Sequence, residues 1–283
     1  MIFDGREVAE ALTESLSDRV YNLKKRGVEP KLVMLRVGEK PNDMSYERTA
    51  SKKLEKMGIA VSHIVLPENC SESELLGQIE AINKDDSIHG CLMFRPLDNK
   101  ELEIKAANLL DPKKDVDSMT PVSLTSEYLG NREGFVPCTA QACMEILDYY
   151  HVDLSGKHVA IIGRSHVVGK PLAMLLQNRD ATITMCHSKT KNLPGVCSRA
   201  DILISAAGKA GFVNKYYVNP SQIVLDVGIN FNEDGKMCGD VDFDQVSPIV
   251  WAITPVPGGV GPMTIAMLMK NTLTAALRKN GLA

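Results

Sequence analysis

Two stretches of the chain have the residue types and spacing to hold a phosphate group. The first is Gly163-Arg-Ser-His-Val-Val-Gly169-Lys-Pro, which follows a run patterned as a strand. A Gly directly after a strand permits a tight turn. Gly169 permits close backbone approach at a helix start, where free N–H groups and the helix dipole attract anions. Ser165 stands where a GxGxxG loop would carry its second Gly; it is still small and adds a hydroxyl donor. Nucleotide loops and ordinary strand-to-helix turns share this spacing. The second stretch, His187-Ser-Lys-Thr190, holds no carboxylate that would favour a free ribose 2′-hydroxyl. Instead Arg164, His187, Ser188 and Lys189 could converge on a 2′-phosphate, for which Arg offers a planar fork. Alone it also reads as a solvated polar loop; together the two stretches favour NADP over NAD. A third element, Pro255-Val-Pro257-Gly258-Gly259-Val260-Gly261-Pro262, mixes fixed with permissive φ. It makes a shaped, mostly apolar loop, either a pocket lining or a structural corner. Taken singly, Tyr46 reads as helix-face packing and Asp117 as a surface carboxylate.

The elements that must position these residues alternate. Val8, Leu12, Leu16, Val20 and Leu23 recur at helical spacing over residues 5–26, with Asp4 and Glu7 as a capping box and Gly27 as the stop. Strands are expected at Leu32–Val37, Ile59–Leu66 and Gly90–Phe94, with helices over 43–57, closed by Gly58, and over Ser71–Ile82. A polar stretch from Asp111 to Gly134 reads as a linker, and Thr139 as the cap of a helix reaching Tyr150. The alternation then restarts: strands at His158–Ile162, Thr182–Cys186, Ile202–Ser205, Ile223–Val227 and Ile249–Thr254, and a helix over Val168–Gln177. Pro262 opens a closing helix over 263–279. This is the pattern of parallel sheets with crossover helices. It predicts an α/β fold of two α/β domains, the C-terminal one Rossmann-like: residues 1–138 with the C-terminal helix 263–283, and residues 139–262.

Composition narrows the classes. With 283 residues there is room for about two domains. Lys and Arg number 32 against 35 Asp and Glu, for a net charge of −3, which is not the footprint of a nucleic-acid binder. No apolar run approaches the roughly 18 to 20 residues that span a bilayer, and the N-terminus lacks signal-peptide character. Cys70, Cys91, Cys138, Cys143, Cys186, Cys197 and Cys238 form no CxxC pair, and their number is odd. Free thiols in a reducing cytoplasm are expected, without a disulfide framework or a metal site.

Several motifs occur in order along nearly the whole chain: the Gly163–Pro171 loop, Cys186-His-Ser-Lys-Thr190, Asp226-Val-Gly-Ile-Asn230, Gly239-Asp-Val241 and the twelve-residue block Ile253–Thr264. Ser45-Tyr46, Lys114-Asp-Val-Asp117 and Pro137-Cys-Thr139 join them. The set closely resembles the methylenetetrahydrofolate dehydrogenase/cyclohydrolase family. The resemblance implies two α/β domains, usually in a homodimer, with folate in the cleft between them and NADP on the C-terminal domain. It implies hydride transfer between 5,10-methylene- and 5,10-methenyltetrahydrofolate, and in most members hydrolysis of the methenyl product to 10-formyltetrahydrofolate. By motif, Tyr46 would stack on the folate and Asp117 would anchor the pterin. Pro255, Pro257, Gly258, Gly259 and Pro262 would shape the substrate cleft. Gly163, Arg164, Ser165, Val168, Gly169, His187, Ser188, Gly208 and Ile229 would hold the cofactor.

The sequence departs from the family where the hydrolytic step is concerned. The family's helix carries, four residues after the Tyr, a Lys tied to hydrolysis; here that position is Ala50. The family's strand motif Val-Gln-Leu-Pro reads Met93-Phe94-Arg95-Pro96, so the Gln that helps place the Lys is Phe94. The Gly after Asp117 is Ser118, and Pro-Cys-Thr-Pro-x-Gly becomes Pro137-Cys-Thr-Ala-Gln-Ala142. Hydride leaves the methylene carbon with help from a nitrogen lone pair, so oxidation needs alignment rather than a proton acceptor. Water addition and ring opening do move protons, and a positioned acid/base contributes about 10²- to 10⁴-fold. Oxidation is therefore expected to survive and hydrolysis to be weak or absent. Lys53, three residues after Ala50 on the same helix face, is the one possible substitute, and Phe94 argues against it. The alternatives are a fully bifunctional enzyme using Lys53 or a water, and a non-catalytic NADP- or folate-binding paralogue.

Overall fold

The computed structural model describes residues 1–131 and 133–282. Arg132, inside the stretch read as a linker, and Ala283, the last residue of the expected first domain, lie outside the described residues. The chain divides into two compact units: Leu12–Cys138 with Ile265–Ala283, and Met1–Ala11 with Thr139–Thr264.

The first unit is built on β1 (Lys31–Val37), β2 (Ala60–Leu66) and β3 (Gly90–Met93), parallel and in the order β2-β1-β3. Leu32 lies opposite both Val61 and Gly90. Parallel neighbours need crossovers, supplied by α2 (Pro41–Met57) and α3 (Glu72–Lys84). Proline at the start of α2 and a left-handed Gly58 (φ 90°) at its end bound that helix by the rules of helix termini. Ser71 and Glu74 cap α3 reciprocally. Val33, Leu35, Leu75, Ile79, Ile82 and Leu102 form the core. The expected linker is a correction: α5 (Pro121–Leu129) lies inside it, capped by Thr120 and ended by a left-handed Gly130. A further helix, α4 (Lys100–Leu109), precedes it with Asn99 as its cap and was also not anticipated.

The second unit holds β4 (His158–Ile162), α7 (Gly169–Gln177), β5 (Thr182–Cys186), β6 (Ile202–Ser205), β7 (Ile223–Asp226) and β10 (Ala252–Ile253). The sheet is parallel, ordered β10-β7-β6-β4-β5. Strand order reverses at β4, whose neighbours are β5 on one side and β6 on the other. In doubly wound sheets the carboxyl ends at such a point form the ligand crevice. Short α8 (Leu193–Cys197), the hairpin β8 (Asn230–Phe231) and β9 (Met237–Cys238), and α9 (Phe243–Val246) complete it. The last strand is shorter than expected, because chain neighbours outside it do part of the pairing. Phe3 N donates to Ile253 O at 2.9 Å, and Ile253 N to Met1 O at 3.1 Å.

At the start of helix α1 (Gly5–Lys25) the expected cap pair Asp4 and Glu7 is engaged with other groups. Asp4 Oδ1 accepts from Arg6 N, Asp4 N donates to Tyr150 Oη, and Glu7 accepts instead from Tyr149 Oη at 2.9 Å. Thr139 is likewise not a cap, since α6 (Cys138–Tyr149) already begins at Cys138. Pro262 sits within the first turn of α10 (Val260–Lys279) rather than ahead of it. From Ile265 onward α10 belongs to the first unit, where Asn271 Nδ2 donates to Val116 O at 2.9 Å.

Candidate functional site

In the first unit, α2 carries Tyr46, Ala50 and Lys53. The helix is held on its inner face by charge. Glu47 takes Arg36 Nε of β1 at 3.2 Å on one oxygen and His63 Nδ1 of β2 at 3.1 Å on the other, and Ser51 Oγ donates to Glu47 O. On this side Met44, Glu47, Arg48, Ser51, Lys52 and His63 line a cavity of about 450 Å³. Tyr46 meets Phe94 edge-on, ring centroids 6.1 Å apart and planes at 80°. Ala50 is completely buried and Phe94 is 9% exposed. Lys53 is exposed and, among the described residues, has neither a hydrogen bond nor an ion pair. The structure thus brings Tyr46 and Phe94 together and leaves Lys53 facing solvent.

The motif around Asp117 is pinned from several sides. Lys114 is buried, and its ammonium donates to the carbonyls of Ile82, Asn83 and Asp85 at the end of α3, where the helix dipole favours a cation. Burial holds this amine below its ordinary range. Asp115 accepts from Met119 N, Thr120 N and Thr120 Oγ1. Asp117 Oδ1 accepts from Cys138 N at 2.9 Å, so the first residue of α6 is tied to this carboxylate. Arg95 Nη2 lies 3.4 Å from Asp117 O and 3.7 Å from Asp117 Oδ2. Burial pushes the Asp117 carboxyl up, while the Cys138 N–H and then the Arg95 charge pull it back. Sequence reasoning did not find Arg95 as a partner of Asp117, although the replacement in the strand motif was visible.

In the second unit the loop after β4 has the expected close approaches. A Cβ on Gly169 would lie 2.2 Å from Gly163 O, and one on Gly163 would lie 2.5 Å from Ala206 O, beyond β6. Gly163 itself has φ 125°. Ser165 Oγ accepts from Val168 N at 3.0 Å, which stabilises the turn and leaves its hydroxyl hydrogen free to donate. Arg164, Ser165 and Ser188 are exposed. His187 is fixed by Thr190 Oγ1, which accepts its N–H, and its Nδ1 accepts from Lys189 N. Gly208 follows β6 at φ 66°, and Ile229 follows β7 with 61% exposure.

Two carboxylates missed by sequence reasoning organise these turns. Asp240 accepts from Ser205 Oγ, the N–H groups of Ala207, Gly208 and Lys209, and Asn230 Nδ2. Asp226 accepts from the N–H groups of Gly228, Asp240 and Val241. Its own carboxyl is pushed up to about 6 by burial, against those three donors. A Cβ on Gly228 would meet Asp240 Oδ1 at 2.1 Å, and one on Gly239 would meet Asp226 Oδ2 at 1.8 Å. Glycine is required at both places by these carboxylates. The loop from Pro255 is held similarly: Gly258 O accepts from Gly5 N, and a Cβ on Gly5 would overlap Gly259 O at 1.8 Å. Pro255 and Pro262 are half-buried, Pro257 is exposed, and Gly258 and Gly259 are buried.

Comparison with known proteins decides what these two units are. The family description "Tetrahydrofolate dehydrogenase/cyclohydrolase, catalytic domain" matches residues 3–117, and "Tetrahydrofolate dehydrogenase/cyclohydrolase, NAD(P)-binding domain" matches residues 137–280. The chain belongs to the tetrahydrofolate dehydrogenase/cyclohydrolase family. Bifunctional protein FolD of Carboxydothermus hydrogenoformans is 48% identical over 98% of both chains. Among solved structures, the FolD methylenetetrahydrofolate dehydrogenase/cyclohydrolase of Campylobacter jejuni superposes with a TM-score of 0.95 at 41% identity, covering 98% of this chain and 99% of that one. The enzyme of Trypanosoma brucei, described as complexed with NADP cofactor and inhibitor, gives 0.93 at 34% identity, covering 98% and 97%. The two-domain α/β fold with a Rossmann-like NAD(P)-binding domain is therefore the fold of this family. Among the described residues no cluster of His, Cys, Asp or Glu could hold a metal ion, and no helix is long and apolar enough to cross a membrane.

Proposed function

We propose that this protein oxidises 5,10-methylenetetrahydrofolate to 5,10-methenyltetrahydrofolate with NADP, and that its cyclohydrolase activity is weak or absent. Family membership supports the oxidation. One observation carries the second part: the position of the hydrolytic Lys is a completely buried alanine, with Phe94 set against Tyr46.

The residues present fit the cofactor. Gly163 and Gly169 leave a cradle that a Cβ would fill, at a helix start where N–H groups and dipole favour phosphate. Arg164, Ser165, His187 and Ser188 supply the donors around it, and the absence of a carboxylate after β5 suits a 2′-phosphate. When bound, NADP supplies the hydride acceptor. The chain's own residues position the substrate: Tyr46 stacks on the folate and Asp117 receives the pterin N–H donors. Oxidation leaves a delocalised cation on the substrate and no proton on any side chain, so alignment and electrostatics suffice. Hydrolysis needs a group that gives and takes protons. Lys53 faces solvent, Lys52 lines the cavity across the helix, and Phe94 disfavours a charge beside Tyr46.

The bifunctional reading has the names of the relatives in its favour, since the Carboxydothermus and Campylobacter proteins are called bifunctional. Two assays on one preparation separate the readings. We expect methylene-dependent NADP reduction, and loss of supplied methenyltetrahydrofolate no faster than its spontaneous rate. Comparable turnover in both overturns the second half; NADP binding without any reduction favours a non-catalytic paralogue. The same reading takes the protein as a homodimer working in the cytoplasm. Its support is the apolar pair Phe231 and Met237, cross-strand partners 55% and 43% exposed, and seven cysteines that are all free.

A further inference from the structure

Arg95 replaces the Leu of the family's strand motif and sits one residue beyond Phe94, where β3 has just ended. Its guanidinium reaches Asp117, with Nη2 3.4 Å from the backbone oxygen and 3.7 Å from Oδ2. Both side chains are partly open, 20% and 24% exposed. The other carboxylate oxygen, Oδ1, is already occupied by Cys138 N. The carboxylate is therefore held between a backbone donor and a cation, with Oδ2 turned to the guanidinium side at more than hydrogen-bond length and still able to accept. A guanidinium stays charged at every working pH and presents its donors in a rigid fork, so it fixes charge and direction but cannot carry protons.

We propose that Arg95 is a substrate-positioning residue acting through Asp117: it fixes the direction and charge of the carboxylate that receives the pterin N–H donors. This rests on the dehydrogenase reading above. It adds to that reading a permanent cation in the same segment that has lost its Gln. The groups facing Asp117 are Arg95, the Cys138 N–H and thiol, and the Asp115 carboxylate. Of these, Arg95 supplies the positive charge. Without it, burial and Asp115 act against ionisation with only the Cys138 N–H and thiol opposing them, so Asp117 protonates at higher pH.

The test is steady-state dehydrogenase kinetics across pH on Arg95→Leu and Arg95→Lys, each alone and with Asp117→Asn. We expect Arg95→Leu to raise KM for methylenetetrahydrofolate roughly five- to tenfold. kcat and KM for NADP should stay within about twofold, the latter also showing that the variant is folded. The acid limb of kcat/KM should move to higher pH. Arg95→Lys should restore the acid limb but only part of the KM, because it keeps the charge and loses the fork. In the Asp117→Asn background, Arg95→Leu should have almost no further effect. A KM change that persists undiminished in that background, or an unmoved acid limb, overturns action through Asp117. An unchanged folate KM overturns any role for Arg95. Failure of the dehydrogenase reading looks different, since the unaltered protein would then show no folate-dependent NADP reduction.

Discussion

Rebuilding the proton shuttle tests the functional assignment most directly. The perturbation is Ala50→Lys with Phe94→Gln, compared with each change alone. Ala50 is 0% exposed, and Phe94, which meets Tyr46 of the same helix edge-on, is 9% exposed. A lysine introduced alone would carry an ammonium into a fully buried position on the helix whose Tyr46 already packs against Phe94. Overpacking a core costs about 1–3 kcal/mol, and an unpaired buried charge costs several more unless it loses its proton. Ala50→Lys alone should therefore lower Tm and leave hydrolysis nearly unchanged. Phe94→Gln removes the ring that stands 6.1 Å from Tyr46 and offers an amide in its place. The double variant should then regain stability relative to Ala50→Lys and acquire methenyl hydrolysis. A positioned acid/base is worth about 10²- to 10⁴-fold, and an approximate placement should reach the lower end, about 2.7 kcal/mol of barrier at 1.36 per factor of ten. The assay is the loss of methenyltetrahydrofolate absorbance, corrected for the spontaneous rate, beside NADP reduction on the same sample. Dehydrogenase turnover should fall no more than about threefold, because that step uses no side-chain proton. The reasoning fails if the double variant is folded, oxidises methylenetetrahydrofolate and still hydrolyses no faster than the parent.

Two further outcomes are expected from the carboxylates. Asp240→Asn removes one of the two oxygens that serve five donors around β6 and the hairpin. It should cost about 2 kcal/mol of stability and raise KM for NADP while sparing KM for folate; thermal melts with and without NADP, and kinetics, read both. Glu127 is 7% exposed with one oxygen buried and unpartnered, and burial pushes its carboxyl up to about 7 from 4.5. Its folded-state value lies above the unfolded one, so stability is intact below pH 4.5 and is lost as pH rises through 7, by about 3 kcal/mol in full. Glu127→Gln should accordingly raise Tm at pH 8 and change it little near pH 4.5; an equal shift at both pH values would contradict the burial argument.

The strand-and-helix alternation was readable because apolar runs such as Leu32–Val37 end against Gly or Pro and are followed by helical stripes. Ser71 announced the start of α3 for the same local reason, and the structure adds Glu74 as the other half of its cap. α4 escaped because only Leu102 and Ala106 of its residues are buried, too few for a stripe. α5 escaped because its buried face is polar, made of Ser123, Ser126 and Glu127. Asp4 and Glu7 had the spacing of a cap, but the Asp4 N–H meets Tyr150 Oη and the Glu7 carboxylate meets Tyr149 Oη, partners no local pattern contains. The same distinction runs through the site. Gly163 and Gly169 could be read as places of close approach because both belong to one loop. Gly228 and Gly239 could not, because what excludes a side chain there is a carboxylate from the other motif.

The two half-reactions differ in what crosses the site, a hydride in one and protons in the other, and the residues around Tyr46 and Asp117 sort along that line. On the proposed reading, the groups that need only to hold still are an aromatic ring on α2, a carboxylate gripped by Cys138 N, and a guanidinium that keeps its proton. On the proposed reading, the position of the proton-moving group is the fully buried Ala50, and Lys53 on the same helix face is turned to solvent. On that reading the apolar Phe94 goes with Ala50, since a Gln at 94 deprived of its partner would need its amide satisfied elsewhere. The chemical consequence falls outside the protein. If the proposed reading holds, the methenyl product leaves as a cation, and a second enzyme of the hydrolase class opens its ring.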